Sequence, residues 1–265
     1  MNFIKNILYI NSITNDLWKV ARFKLTGQPT EIIYKEGATL KISSDGSKYL
    51  LKLSDKGRIL LFLLPNRERA LWAIEMLHTQ LVTARQYGSL DFKDRQVVDI
   101  GANMGDTPIY FAVNGARKVF AYEPYPNLYE EALENISLNH LQMVIELKNE
   151  GVGVRNKIIK IPPAFVADAS SSLMEFENGK EVRILTLEDI VKKNKIEDGV
   201  LKLDCEGGEY EILLPANDNV LRAFREIIVE CHKGTEPIKQ KLENAGFIVR
   251  RINIDEKVIA AIRMV

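Results

Sequence analysis

The segment VVDIGANMGDT, residues 97–107, constrains the fold of this chain more than any other part of the sequence. An apolar run typical of a buried strand leads into a turn containing Gly101 and Gly105, and a helix is predicted to follow. Glycine lets the backbone approach a ligand that a Cβ atom would push away, and free amides at a helix start can receive a carboxylate. The segment therefore predicts a ligand site between strand and helix, with a tight connection that binds nothing as the alternative.

After this segment, predicted strands and helices alternate along the chain. The predicted strands are Val97–Ile100, Lys118–Tyr122, Met143–Leu147, Val200–Leu203 and Glu226–Glu230, with less regular candidates near Ile158–Ile161 and Val182–Leu185. The predicted helices are Thr107–Asn114, Asn127–Leu141, one capped by Thr186 and one from Thr235 to Gly246. Such alternation predicts a doubly wound α/β fold with helices on both faces of a parallel sheet. The last two strand patterns, residues 247–254 and 257–263, are joined by only two residues and must form an antiparallel β-hairpin.

Residues 1–90 are predicted to form an N-terminal extension, and residues 91–265 the ligand-binding domain. The extension contains four short β-type runs separated by glycine turns, which predict an antiparallel meander: Glu31–Tyr34, Thr39–Ile42, Tyr49–Leu53 and Ile59–Leu64. An amphipathic helix is expected before the meander, and a second helix after it, from Asn66 to Gly88. We expect the extension and the irregular residues 151–185 to form the walls of a pocket for a second molecule, which is called the acceptor below.

Polar residues surround the glycine turn. Asp99 ends the first strand where it would face a cationic amino group, and Asn103 lies between the two glycines. Asp106 and Thr107 could add polar contacts at the start of the helix. The glycine spacing matches neither the G-x-G-x-x-G motif of dinucleotide enzymes nor the G-x-x-x-x-G-K-[ST] motif of phosphate-binding loops.

The next two strands also end in polar residues. Glu123, followed by Pro124, ends the second strand at about 20 residues after the glycine turn, where an acidic residue can hydrogen-bond both ribose hydroxyls. A carboxylate there would repel the 2′-phosphate of NADP. Asn149 and Glu150 follow the third strand, near where an adenine would lie, although an exposed turn explains them equally well.

The segment LKLDCEGGEY places Asp204, Glu206 and Glu209 close together after another apolar strand. Ligands of open α/β sheets bind at the carboxyl ends of strands, and buried acids cost free energy unless they are paired. His232 follows the next strand and is expected at the same edge. Lys202, within the strand, is expected to be structural.

Together these segments resemble the FkbM family of S-adenosylmethionine-dependent methyltransferases. The resemblance rests on VVDIGANMGDT, AYEP, TLEDI, LKLDCEGGEYEIL and IVECH, and covers roughly residues 95–250. It implies a class I methyltransferase (Rossmann-like) fold, S-adenosyl-L-methionine as cofactor, and O-methylation of sugars, lipids or natural products. By the same resemblance, Asp99, Gly101, Asn103, Gly105 and Glu123 would hold the cofactor, and Asp204 would act on the acceptor. A serine-bearing loop at Ser170–Ser172 also resembles the family and receives no role.

For a hydroxyl acceptor, our hypothesis is that Asp204 orients or deprotonates the hydroxyl, with His232 assisting and Glu206 nearby. The clustered acids could instead hold a divalent cation, but their spacing is not a recognised metal motif, and no metal site is predicted. Two other classes remain open: a nicotinamide-dependent oxidoreductase, and a non-catalytic binding protein with a degenerate site. The glycine spacing and terminal hairpin argue against the first, and the intact acidic residues against the second.

The charge balance makes nucleic acid an unexpected partner, because 36 Lys and Arg match 36 Asp and Glu. A small-molecule, glycan or lipid-linked acceptor is expected instead. Two cysteines, Cys205 and Cys231, provide no disulfide framework, which favours a reducing cytoplasm. No segment is long and apolar enough to span a membrane. Residues 1–25 form a helical pattern expected to pack on the protein itself, with membrane-surface contact as the weaker alternative. The oligomeric state is not predicted.

Overall fold

The computed structural model describes residues 9–82, 86–162, 173–252 and 257–264. The chain divides into two compact units, Met1–Gly88 with Ser137–His140, and Ser89–Ile136 with Leu141–Val265. Part of the N-terminal segment 1–25 and the serine-bearing loop at Ser170–Ser172 lie outside the described residues. The role of residues 1–90 as an acceptor cap stays a prediction.

The first unit contains the predicted antiparallel meander. Its elements are α1 (Leu17–Thr26), β1 (Thr30–Ile33), β2 (Thr39–Ser44), β3 (Tyr49–Asp55), β4 (Arg58–Leu64) and α2 (Arg67–Leu77). The four strands pair in chain order. The Tyr34 hydroxyl donates to the Ile74 carbonyl at 2.7 Å and joins the sheet to α2. Asn139 is anchored to this unit, because its side chain accepts from the Leu61 amide at 2.9 Å and donates to the Leu61 carbonyl at 2.7 Å.

The predicted helix after the meander begins as expected and ends early. The Asn66 side chain caps α2 by accepting from the Arg69 amide at 2.9 Å. The α-helix ends at Leu77 and not near Gly88, because His78–Val82 adopts a π-helical turn. A π-turn shifts the hydrogen bonds from i+4 to i+5. Leu77 and Leu81 are four positions apart, a spacing that an α-helix also predicts, so the sequence pattern does not reveal the π-turn.

The second unit is built on a large sheet, as predicted. The strands are β5 (Gln96–Ile100), β6 (Lys118–Tyr122), β7 (Ile145–Lys148), β11 (Gly199–Leu203), β12 (Phe224–Glu230), β13 (Phe247–Arg251) and β14 (Val258–Arg263). Within the described residues they form a seven-stranded sheet in the order β13-β14-β12-β11-β5-β6-β7. The first five of these strands in the chain pair in parallel, and β14 is antiparallel to both β12 and β13. The doubly wound sheet with a terminal antiparallel hairpin is therefore confirmed.

Helices join the parallel strands. They are α3 (Asp106–Val113), α4 (Pro126–Leu138), α5 (Leu187–Asn194), α6 (Glu209–Leu213), α7 (Asp218–Leu221) and α8 (Glu236–Asn244). Strand order reverses between β5 and β11, which lie side by side at the centre of the sheet. In open α/β sheets the crevice at such a reversal is where ligands bind. The residues that follow β5 and β11 are thus placed at the binding edge by topology.

A second, smaller sheet is made from the irregular part of the sequence. It consists of β8 (Glu150–Val152), β9 (Lys157–Ile161) and β10 (Lys180–Leu185), in the order β8-β10-β9. Both candidate strands predicted in this region are confirmed. Their inward residues Ile159, Ile161, Val182 and Ile184 pack with Tyr125 and Leu128 in a separate apolar cluster. The small sheet is thereby fixed above the end of β6.

No helix in the described part of the chain combines the length and apolar character needed to cross a membrane.

Candidate active site

A cavity of about 680 Å³ lies at the carboxyl edge of the large sheet, within the second unit. Of the residues predicted for the site, those that line it are Gly101, Asn103, Glu123, Pro124, Asp204 and Glu206. The small sheet contributes Gly151, Lys157, Ile159 and Ile184 to the lining of the cavity. Its volume is typical of sites for cofactors and small molecules.

The glycine turn after β5 packs directly against the residue that follows β11. Gly101 has a φ of +86°, and a Cβ atom built there would lie 1.9 Å from the Asp204 carbonyl oxygen. Gly105 has a φ of +87°, and its Cβ would lie 3.3 Å from the backbone of Ala132 in α4. Any side chain at Gly101 would displace Asp204, so this glycine is required by close backbone approach as well as by its left-handed conformation.

Glu123 ends β6 with its carboxylate buried beside the glycine turn. One carboxylate oxygen accepts from the Asn103 amide at 2.9 Å and the other from the Tyr125 amide at 3.0 Å. Burial raises the pKa of Glu123 to about 7, and these two hydrogen bonds only partly oppose the rise. The carboxylate is thus fixed at the cavity wall, with lone pairs that further donors can use.

The side chains of Asn149 and Glu150 bind neighbouring residues, and neither residue is among those described as lining the cavity. The Asn149 side chain donates to the carbonyls of Glu123 and Pro124, each at 3.0 Å, and so holds the end of β6. The Glu150 carboxylate is buried and forms an ion pair with Arg183. Direct contact of either residue with an adenine stays a prediction.

Asp99 is fully buried beneath the turn and is already paired. Its carboxylate lies 3.0 Å from the Lys202 ammonium and accepts from the Thr107 hydroxyl at 2.5 Å. Lys202 also donates to the Gly101 carbonyl at 2.7 Å. Burial alone would lower the pKa of Lys202, but the charge of Asp99 raises it above its usual range. Asp99 therefore supports the turn from below, and its expected contact with a cationic amino group stays a prediction.

Asp106 begins α3 and is also buried. Burial raises the pKa of the Asp106 carboxyl to about 6. Neither Asp106 nor Thr107 lines the cavity within the described residues, so their polar contacts with a ligand stay predictions.

A second polar group lies where β11 and β12 end. Donor atoms of Asp204, Glu206 and His232 lie within 4.8 Å of one another. The His232 Nε2 atom is 3.2 Å from the nearer Glu206 oxygen, and Nδ1 is 2.9 Å from Oε1 of Glu209. The sequence prediction that these acids and this histidine share one edge agrees with their placement.

Glu209 is the fixed member of this group. It is fully buried, and its Oε1 atom accepts from the backbone amides of Cys205 at 2.9 Å and Gly207 at 3.3 Å. Although burial alone would raise the pKa of Glu209, the hydrogen bond from His232 holds it below its usual range. Glu209 is therefore a charged acceptor that orients the imidazole.

His232 is held as a cation at neutral pH. Its hydrogen bonds to Glu206 and Glu209 raise the pKa of the imidazole to about 10, which outweighs the opposing effect of burial. An imidazolium has no free lone pair and cannot accept a proton. The expected assistance of His232 in deprotonation is therefore opposed by its own surroundings. Asp204 differs, because its carboxylate makes no hydrogen bond within the described residues and burial raises its pKa.

The sequence predicts a structural role for Lys202 and gives Glu209 no role of its own. The contacts of Lys202 agree with that prediction, because its ammonium pairs with Asp99 beneath the glycine turn. A lysine inside an apolar strand was the available signal, since a buried ammonium requires an acidic partner. The sequence places Glu209 among three clustered acids but does not show that it orients His232. The cavity wall formed by Tyr125, Leu128 and Met174 was not predicted, because those residues reach the site through tertiary packing.

The sequence model of the FkbM methyltransferase domain matches residues 99–249, which is more than half of the chain. The chain belongs to this family. The match contains the glycine turn, Glu123, Lys202, Asp204 and His232, so the FkbM domain includes the whole site described above. No curated protein sequence matches the chain significantly.

Solved structures give weaker likenesses. Methyltransferase FkbM from Methylobacillus flagellatus KT shares 15% identity, with a TM-score of 0.48 over 73% of this chain and 54% of its own. The protein SMU.776 in complex with S-adenosylhomocysteine shares 9% identity, with a TM-score of 0.42 over 83% of this chain and 56% of its own. TrmK of M. capricolum, also in complex with S-adenosylhomocysteine, shares 16% identity, with a TM-score of 0.38 over 63% of this chain and 60% of its own. This chain spans little more than half the length of the first two proteins, and family membership rests on the domain match.

Proposed function

We propose that this FkbM-domain protein transfers a methyl group from S-adenosylmethionine to a hydroxyl of a small-molecule, glycan or lipid-linked acceptor. One observation carries the proposal. The glycine turn, the ribose-binding candidate Glu123 and the unbonded carboxylate of Asp204 all line one cavity. A cofactor site and a proton acceptor are thereby adjacent, which is the arrangement that O-methylation requires.

The residues of the cavity fit the cofactor. Gly101 and Asn103 bring backbone to the cavity wall without a bulky side chain between them, and the carboxylate of Glu123 can accept from both ribose hydroxyls. Bound S-adenosylmethionine would supply a methyl group on a sulfonium, activated for direct displacement. Lys202 keeps the turn in place through its hydrogen bond to the Gly101 carbonyl. Asn149 does the same for Glu123 through the two carbonyls it holds.

Asp204 is our candidate for the base that removes the proton of the acceptor hydroxyl. Its raised pKa makes it a better base than an exposed aspartate, and its carboxylate makes no hydrogen bond within the described residues. We propose that Asp204 accepts the hydroxyl proton while the hydroxyl oxygen attacks the methyl carbon. The remaining contribution of the protein is positioning, because an in-line displacement needs the two reactants aligned and little else.

The first test is calorimetric titration of the full chain with S-adenosylhomocysteine and, separately, with NAD. We expect binding of S-adenosylhomocysteine that weakens by about tenfold or more in Glu123→Gln, because a charged hydrogen-bond acceptor is lost. Binding of NAD instead would support the oxidoreductase alternative. Binding of neither would favour the degenerate-site alternative.

The second test addresses Asp204. Release of S-adenosylhomocysteine is measured with a panel of hydroxylated acceptors, for the wild type and for Asp204→Asn. We expect turnover to fall by about 100-fold or more, typical of a lost general base, with S-adenosylhomocysteine affinity retained. Full turnover of Asp204→Asn with unchanged cofactor affinity would refute the role of Asp204 as base.

A further inference from the structure

We propose that Asp204, Glu206 and His232 bind a divalent cation that accepts both nitrogen and oxygen ligands, with Mn²⁺ as the probe. The inference rests on the proposed function only for the use made of the cation, since the binding site itself is argued from geometry. Each of the three residues offers one donor atom, and all three atoms lie within 4.8 Å of one another. The sequence alone predicted no metal here.

The histidine is oriented as a metal ligand. Metal-binding histidines almost always donate the N–H of the other ring nitrogen to a carboxylate or carbonyl, which fixes the ring and its tautomer. His232 does this through Nδ1, which lies 2.9 Å from the fully buried Glu209. Glu209 is in turn held by two backbone amides. The other nitrogen, Nε2, is thereby directed toward Glu206, and a bound ion would displace its proton.

The charges around His232 call for a further cation. Oε2 of Glu209 is buried and has no hydrogen-bond partner within the described residues, and the Asp204 carboxylate also makes no hydrogen bond there. The nearby ammonium of Lys202 is engaged by Asp99. Asp204 and Glu209 therefore both lie beside a single imidazole. A divalent ion would add positive charge beside the buried Glu209 and would give the Asp204 carboxylate an ion to bind.

The distances suit a cation of this kind after one small movement. Ligands at about 2.1 Å from an ion place neighbouring donor atoms about 3 Å apart. Nε2 of His232 and the nearer oxygen of Glu206 are already 3.2 Å apart. Asp204 must approach by a side-chain rotation, which breaks no hydrogen bond within the described part of the chain. A proton on His232 explains the contact with Glu206 equally well, but it leaves the Asp204 carboxylate without a hydrogen bond in the described part of the chain.

Such an ion would act on the acceptor. A bound divalent cation polarises an oxygen ligand and lowers the pKa of its proton. The acceptor hydroxyl would bind the ion and lose its proton to the Asp204 oxygen that does not hold the ion. The hydroxyl oxygen then forms its bond to the methyl carbon, and the electron pair of the broken carbon–sulfur bond stays on sulfur.

The experiment is titration of the chelator-treated full chain with Mn²⁺, followed by the electron paramagnetic resonance signal of the free ion. We expect one Mn²⁺ per chain. Affinity should fall by tenfold or more in Asp204→Asn and in Glu206→Gln, and by about 10- to 100-fold in Glu209→Gln, which orients His232. The matched control is Glu211→Gln, which removes a carboxylate from the same cavity wall and should not change Mn²⁺ affinity.

Circular dichroism and S-adenosylhomocysteine affinity are measured for each variant, so that loss of Mn²⁺ binding is scored only in a folded chain. Wild-type protein that binds no Mn²⁺, or binds it equally well in Asp204→Asn, overturns the proposal. If the wild-type chain binds S-adenosylhomocysteine but does not bind Mn²⁺, the cation proposal is overturned and the proposed methyl transfer still stands. Binding of Mn²⁺ at this site without S-adenosylhomocysteine supports it and counts against the proposed function.

Discussion

Gly101 shows most directly how a single residue position joins the two halves of the site. A Cβ atom at this position would lie 1.9 Å from the Asp204 carbonyl oxygen, and the φ of +86° is itself unfavourable for other residues. We expect Gly101→Ala to lower the free energy of unfolding by about 1–3 kcal/mol more than a substitution that meets the φ penalty alone. Urea-induced unfolding measures the difference.

Gly246→Ala is the matched control for that prediction. Gly246 lies in the same unit, has a φ of +93°, and has no atom within 4 Å of its built Cβ. It therefore reports the conformational penalty without the clash. Equal destabilisation by the two substitutions would show that contact with Asp204 is not what requires glycine at 101.

Glu123 gives cofactor binding a predictable dependence on pH. The pKa of its carboxyl is raised to about 7 by burial, and ribose hydroxyls donate better to a carboxylate than to a carboxylic acid. We expect S-adenosylhomocysteine affinity to rise between about pH 6 and about pH 8, as measured by calorimetry. Glu123→Gln should bind more weakly and lose most of this dependence. Retention of the same pH profile in the variant would contradict the role of Glu123.

His232 is expected to make the stability of the protein fall as the pH rises, whereas Glu123 makes cofactor affinity rise. Its folded pKa of about 10 lies above the ordinary value of 6.5, so the stability that it contributes is complete below the unfolded value. That stability is lost as the pH rises through the folded value. With chelator present, the free energy of unfolding should decline between about pH 7 and about pH 10, and the decline should be smaller in His232→Asn. Parallel urea-unfolding curves for the two proteins would contradict this pairing.

At this scale the sequence predicted positions better than partners. Asp99, Glu123 and Asp204 lie at strand ends, as the alternation of strands required. The ion pair between Asp99 and Lys202 joins residues about a hundred positions apart, and only the parallel pairing of β5 with β11 brings them together. Likewise, the charge state of His232 depends on Glu209, whose burial no local pattern reveals.

At the level of elements, the cap of α5 offers a clean comparison with that of α8. The Thr186 hydroxyl accepts from the Asp189 amide at 3.1 Å and donates to the Asp189 carboxylate at 2.7 Å. Thr235 precedes α8 but makes no capping hydrogen bond with its side chain. We expect Thr186→Ala to cost about 1 kcal/mol of unfolding free energy and Thr235→Ala clearly less. If urea unfolding gave equal losses of unfolding free energy for the two variants, the side-chain cap of Thr186 would not be what stabilises α5.

Elements with strong periodic patterns were predicted well, and those that depend on tertiary context were not. The strand Lys118–Tyr122 and the terminal hairpin follow from apolar runs bounded by turn residues. The apolar residues after Leu77 have a spacing that also predicts an α-helix, so the sequence does not reveal the π-turn at His78–Val82. The small sheet was predicted as separate strands, because nothing in the sequence shows that β8 pairs with β10, with Glu150 opposite Arg183.

For the molecule as a whole, the division into two units makes a test possible. Every residue that lines the described cavity belongs to the second unit. A chain shortened to residues 89–265 should therefore bind S-adenosylhomocysteine within about threefold of the full chain, as measured by calorimetry. Turnover should fall if residues 1–90 cap the acceptor, as the sequence analysis predicts. A shortened chain with native circular dichroism and no S-adenosylhomocysteine binding would contradict the first expectation.

The contact between Gly101 and Asp204 also limits how such an enzyme could be redesigned. A laboratory evolution library that varied Gly101 would also displace Asp204, the proposed base, because the backbone of Asp204 lies directly against this glycine. New acceptor specificity should therefore be sought in the small sheet at Lys157, an exposed residue that lines the same cavity. Diversity placed there leaves the chemical machinery untouched, so the fold separates what must stay constant from what is open to change.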